Sequence, residues 1–187
     1  MPIPTARLRA TATPTAPALT LRPWTPGDAA GLAALGRDDA LRRWTSLADD
    51  ETSAARWLRE QQQGWEQDRR YAFAVEEVQP SGAPGPPAGH VVLKDVAPGA
   101  ASAAVGYWTA AHARGRGVAS RALHTLTDWA FTTFAPTGLT RLELLHQTDN
   151  TASCRVADKA RYTLTDIRPP QPPDHPSEGH VHVRHLA

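Results

Sequence analysis

Apolar residues along the chain recur with two spacings, and the switches between them mark its elements. Leu19 and Leu21 alternate with Thr20 and Arg22 before Pro23, the pattern of a half-buried strand. Asp28 is placed to cap a short helix carrying Ala29, Leu32, Ala33 and Leu35. The acidic cluster Asp49, Asp50 and Glu51 opens a second helix with Trp57, Leu58, Gln61 and Trp65, which should break near Gly64 or just beyond. Tyr71, Phe73 and Val75 return to strand spacing, followed by a Pro- and Gly-rich excursion at 80–89 that reads as a solvent-exposed hairpin and by strands at 90–96 and 102–108. The clearest helix presents Val118, Ala122, Leu123, Leu126, Trp129, Ala130 and Phe134 as one stripe and is ended by Pro136 and Gly138. A strand at 139–146, a helix at 150–159 and strands at 162–167 and 180–186, the last two separated by a second Pro-rich excursion, complete the order. Strand, two helices, three strands, helix, strand, helix and two strands describe a mixed α/β sheet.

The length of 187 residues fits one domain. Twenty basic residues interspersed with 19 acidic ones give a net charge of +1, which provides no field to attract nucleic acid or a membrane surface. A single cysteine, Cys154, cannot form an intramolecular disulfide, and no apolar run is long enough for a membrane span, so the expected compartment is the cytoplasm. Residues 1–18 are rich in Ala, Thr and Pro and lack the apolar block of a secretory signal. They are expected to be a disordered tail preceding a domain at 19–187.

Candidate chemistry concentrates at residues 105–120. Gly115 and Gly117 allow a turn with free amides at the positive end of the longest helix, flanked by Arg114 and Arg116, so the segment reads as an anion site. A P-loop would need Lys and Ser or Thr where Val118 and Ala119 stand. A dinucleotide fingerprint would need glycine at Ser120 and a tighter turn after Trp108. The run Arg114-Gly115-Arg116-Gly117-Val118-Ala119 instead matches the acyl-CoA loop: Arg or Gln, two residues, Gly, one residue, then Gly or Ala.

With the block Asn150-Thr151-Ala152-Ser153-Cys154-Arg155-Val156-Ala157-Asp158-Lys159-Ala160-Arg161-Tyr162, this loop resembles the GNAT superfamily of N-acetyltransferases, in particular the RimJ/RimL-like branch that acetylates ribosomal-protein N-termini. The resemblance runs from about residue 19 to 167 and departs from the branch at two places. Ala160-Arg161-Tyr162 replaces the usual Gly before the aromatic residue, and Ala157 stands where many relatives place a Tyr general acid. The resemblance implies a mostly antiparallel sheet of about seven strands, splayed between the fourth and fifth, with about four helices. It also implies acetyl-CoA as donor, an amine acceptor (a protein N-terminus or a small molecule), and a possible homodimer.

For individual residues, the resemblance implies that Tyr107, Trp108 and Thr109 offer main-chain groups to pantetheine. Amides from Arg114 to Ser120 (Gly115, Arg116, Gly117, Val118 and Ala119 between them) hold the diphosphate, with Arg116 reaching a phosphate oxygen. Asn150 is a helix N-cap with an added contact to the CoA arm. Ser153 either donates to the departing thiolate or binds pantetheine, or bonds only to its own helix. Glu143 is either a base acting through water or the partner of Arg141. Trp44 and Trp57 are placed on the acceptor wall or, with Trp65, in the core.

His112 reads as a solvated loop residue. His180 and His182 share one strand face with His185 nearby, too few ligands at fixed spacing for a strong zinc site, so no metal is expected. Cys154 reads as a small buried helix residue. The leading expectation is direct acetyl transfer in a ternary complex; the alternative is a CoA-binding sensor or assembly module that catalyses poorly, motivated by Ala157.

Overall fold

The computed structural model describes residues 6–172 and 177–186. Eight strands form one sheet in the order β1-β2-β3-β4-β5-β6-β8-β7: β1 (Leu8–Ala10), β2 (Leu19–Pro23), β3 (Arg70–Val78), β4 (Pro84–Lys94), β5 (Ser102–Thr109), β6 (Arg141–Gln147), β7 (Thr163–Arg168) and β8 (Gly179–His185). Every neighbouring pair is antiparallel except β5 and β6. Helices α1 (Ala29–Gly36), α2 (Asp39–Arg42) and α3 (Glu51–Glu66) cover one face, and α4 (Val118–Phe134) and α5 (Thr151–Lys159) the other.

This layering follows from the strand pattern. On β3, Tyr71, Phe73 and Val75 join the core beneath α4, while Ala72 and Ala74 join the core beneath α1 and α3. A strand covered on both faces loses the polar half of its alternation. The stripe of α4 is buried as its spacing requires, with Val118, Ala122, Leu123, Leu126 and Ala130 all inside. Thr127 joins them, bonded through its hydroxyl to the buried Tyr162 hydroxyl at 2.6 Å. Arg161, where the resemblance leads one to expect glycine, has φ of 63°, the left-handed conformation that glycine enters without penalty.

Three expectations need correction. Residues 8–10 are a strand paired to β2, and Arg121 of α4 donates to the Thr11 and Pro17 carbonyls at 2.6 and 2.8 Å, so the described part of the N-terminal tail is ordered. Residues 1–5 of that tail lie outside the described residues. The excursion at 80–89 is mostly strand, because β4 begins at Pro84 and stays paired to β3 through two register shifts. The Asp28 carboxylate, expected to cap α1, turns back to accept from the Thr25 amide (2.8 Å) and to pair with Arg22 (2.7 Å).

Candidate active site

β5 and β6 pair only from Ser102↔Arg141 to Val105↔Leu144. Beyond that point β5 stays with β4 and β6 with β8, so the two strands part. A cavity of about 760 Å³ lies at the opening, lined by residues 106–109 of β5, the ends of β6 and α5, and the loop entering α4. β5 there has a neighbour on one side only, which leaves main-chain groups for a ligand to meet.

Gly115 and Gly117 have φ of 78° and 72°, a region that costs any residue with a Cβ roughly 1–2 kcal/mol. The first helical bond of α4 runs from the Arg121 amide to the Gly117 carbonyl (3.1 Å). The amides of Val118, Ala119 and Ser120 precede it, at the positive end of a 17-residue helix and on the cavity wall. Arg114 lines the cavity and pairs with Asp38. Arg116 does not line it: its guanidinium is held by Glu77 (2.8 Å) and the His112 carbonyl (2.9 Å), against the expectation that it reaches a phosphate. The His112 side chain is exposed in a short 3-10 turn.

Asn150 caps α5 by accepting from the Ser153 amide at 3.2 Å, and both residues line the cavity. Ala152, Arg155, Val156 and Lys159 face it as well, on the i, i+3, i+4, i+7 positions of one helix face. That spacing was present in the sequence, yet Arg155 and Lys159 were not singled out. Together with Arg114 and Arg168 they place four cations around the cavity and, among its described lining residues, no carboxylate.

Tyr107, Trp108 and Thr109 all contribute to the lining. The Tyr107 hydroxyl is buried without a partner in hydrogen-bond geometry among the described residues, and burial pushes its pKa up to about 12, opposed by the neighbouring Ser153 hydroxyl. It is therefore a protonated phenol at any physiological pH.

Two other site expectations separate from the cavity. Glu143 is not among the lining residues; its two carboxylate oxygens pair with Arg141 (3.0 Å) and Arg168 (3.1 Å). The geometry is thus that of the ion-pair reading. Trp44 lines the cavity, whereas Trp57 packs edge-on against Trp24 (5.6 Å between centroids) and His90 (5.5 Å), within the core beneath α1 and α3. Trp65 is likewise packing, against Tyr71 and Phe73. Thr45, which the resemblance places with Trp44 at the acceptor pocket, lines the cavity too, and Ala40 and Leu41 extend that wall with no sequence signal to mark them.

At the inner end of β6, His146 lines the cavity and belongs to a cluster with Cys154, His180 and His182. His180 and His182 were paired by their alternation; His146 and Cys154 were not connected to them. Burial holds the pKa of both His146 and His182 below the ordinary histidine value, so both rings are neutral at pH 7.

The chain matches the sequence profile of the acetyltransferase (GNAT) domain over residues 18–163. It belongs to that family. Its fold is similar to that of a Vibrio cholerae protein provisionally assigned as a ribosomal-protein-serine acetyltransferase, with 22% identity, a TM-score of 0.80, and 99% of this chain and 100% of that chain covered. It is also similar to Mycobacterium smegmatis RimJ in complex with CoA-disulfide, with 22% identity, a TM-score of 0.78, and 97% and 86% covered. A third similar structure is RimL, a ribosomal L7/L12 alpha-N-protein acetyltransferase in complex with coenzyme A, at 17% identity, TM-score 0.76, and 95% and 98% covered. No curated protein sequence matches. Among the described residues no helix is long and apolar enough to cross a membrane.

Proposed function

We propose that this acetyltransferase moves the acetyl group of acetyl-CoA directly to a primary amine in a ternary complex, with a protein N-terminal α-amine as acceptor. One observation carries the reading: the half-unpaired stretch of β5 at 106–109 leads straight to the free amides at the start of α4, inside a cavity ringed by cations. A donor with an extended amide-bearing arm and a polyanionic end is complementary to that arrangement. Main-chain groups of Tyr107, Trp108 and Thr109 hold the arm as an added strand would be held. Amides at 115–120 receive the diphosphate, while Arg155, Lys159 and Arg168 supply charge for the remaining phosphate. The names of the similar RimJ and RimL structures point the same way.

The chemistry requires a neutral amine, a donor for the oxyanion and a proton for the leaving thiolate. A main-chain amide near Thr109 serves the oxyanion. Ser153, beside the protonated Tyr107 hydroxyl, donates toward the sulfur. Ala157 is fully buried in the core, so the proton donor at this end of the cavity falls to those two hydroxyls. The acceptor enters past Leu41, Trp44 and Thr45. An α-amine with a pKa of about 7.7–8.0 is partly neutral at pH 7, whereas a lysine at about 10.4 needs a strong base. The engagement of Glu143 with two arginines fits an acceptor that needs none.

The test is thiol release from acetyl-CoA with peptides that offer either a free α-amine or only a lysine. Turnover should favour the α-amine by about 100-fold or more, the scale set by the difference in neutral fraction. Ser153→Ala should lower kcat by about 10–100-fold with CoA binding, measured by calorimetry, little changed. CoA binding without turnover on any amine would replace this reading with the sensor or assembly module.

A further inference from the structure

We infer that His146, His180, His182 and Cys154 form a four-coordinate binding site for a zinc-class divalent ion. Strand register brings the histidines together: His146 is the partner of His180 across β6 and β8, and His182 lies two residues along the same face. α5 packs over that face and adds Cys154, one residue past the cavity-lining Ser153. One ligand atom from each of the four side chains lies within 4.8 Å of all the others.

The three rings pack on one another, His146 stacked on His182 at 5.0 Å and 24°, and the distances at the thiol are in addition those of a ligand set. Zn–S of about 2.3 Å and Zn–N of about 2.0–2.1 Å at tetrahedral angles require S···N edges of about 3.6 Å. The Cys154 Sγ lies 3.4 Å from His180 Nδ1 and 3.8 Å from His146 Nε2. His146 is also oriented as metal-bound histidines are: its Nδ1 meets the Gln147 carbonyl at 2.8 Å, which assigns the proton to Nδ1 and frees the Nε2 lone pair toward Cys154.

The decisive residue is His182. It is 2% exposed, and among the described residues neither ring nitrogen has a hydrogen-bond partner; the Tyr162 main chain faces it without meeting hydrogen-bond geometry. A buried polar ring without protein partners belongs where something else supplies the bond.

Three imidazoles and one thiolate suit Zn²⁺ in preference to Mg²⁺ or Ca²⁺, which take oxygen ligands. Binding displaces the Cys154 thiol proton to solvent and forms a metal–thiolate bond; no electron transfer is involved. With four protein ligands the coordination shell is closed, so the ion's part is structural. It ties α5, and with it Asn150 and Ser153, to the end of the sheet. The site stands independently of the acceptor, because none of its ligands is assigned a role in acetyl transfer.

The test is spectroscopic and needs no acetyl transfer. Reduced, chelator-treated protein is titrated with Co²⁺. One equivalent should bind and produce tetrahedral ligand-field bands with a thiolate-to-cobalt charge-transfer band, both removed by Zn²⁺. Cys154→Ser should lose the charge-transfer band and bind Zn²⁺ about 100-fold or more weakly. His180→Gln, at a half-buried position, should weaken binding on the same scale and covers the case in which the serine variant does not fold. No charge-transfer band in the parent protein, or a band of equal strength in Cys154→Ser, would overturn the assignment.

Discussion

Two buried histidines sit on opposite faces of the same sheet, and their surroundings are of opposite kinds. His90 on β4 is enclosed by Trp24, Trp57 and Trp108; it stacks on Trp108 (5.5 Å, 21°) and accepts the Trp24 indole N–H at Nδ1 (3.0 Å). Its other nitrogen faces the Phe73 main chain without meeting hydrogen-bond geometry, so one of the two ring nitrogens is bonded within the core. His182 is as deeply buried, yet among the described residues both of its nitrogens lack partners and its neighbours are two more histidines and a thiol. Burial alone therefore does not separate a packing histidine from a ligand; the accounting of its two nitrogens does.

The comparison is most severely tested on the aromatic side. Trp24→Ala should destabilise the protein by about 3–5 kcal/mol, since a buried indole and the only partner of His90 Nδ1 are removed together. Urea unfolding measures it, and a loss below about 1 kcal/mol would mean that the cluster is not core.

Acid gives the next largest effect. Burial, reinforced by the Arg70 charge, lowers the His90 pKa from 6.5 to about 3. The unfolded chain binds a proton in that window and the folded chain does not, so this contribution is complete above 6.5 and is lost as pH falls toward 3. The slope approaches about 1.4 kcal/mol per pH unit for one such group. His90→Gln should flatten the stability profile between pH 6 and 4; an unchanged slope would show that His90 is already charged there.

The smallest effect has the opposite sign. In metal-free protein His182→Leu removes no hydrogen bond, so stability should stay within about 1 kcal/mol of the parent or exceed it. His90→Leu under the same conditions should lose about 1–3 kcal/mol by stranding the Trp24 donor. Equal losses at the two positions would erase the distinction drawn between them.

The same contrast explains what could be read from the chain alone. The α4 stripe, the alternation on β3 and the two glycines before α4 are local patterns, and each produced the element its spacing implied. The expectation that residues 107–109 present main chain to a ligand came from the family resemblance, and those residues line the cavity. Side-chain destinations were harder. Trp44 and Trp57 lie near one another in sequence, yet only tertiary packing turns one into the cavity and the other into the core. Arg116 left the anion loop for Glu77, a residue 39 positions away. His146 and Cys154 meet His180 and His182 only through the β6–β8 register and the packing of α5, which no local spacing encodes. The N-terminal segment was misjudged for a related reason: its composition is that of a tail, and its order comes from pairing with β2 and from Arg121.

That pairing has a practical consequence. β1 shields the outer rim of β2, where Leu19 and Leu21 have no solvent exposure. A version of the protein trimmed to begin at residue 19 would bare a hydrogen-bonding rim beside apolar side chains, a template for chain-to-chain strand addition. Turbidity or light scattering on such a shortened protein would then report self-association caused by the trimming, not an assembly native to the enzyme.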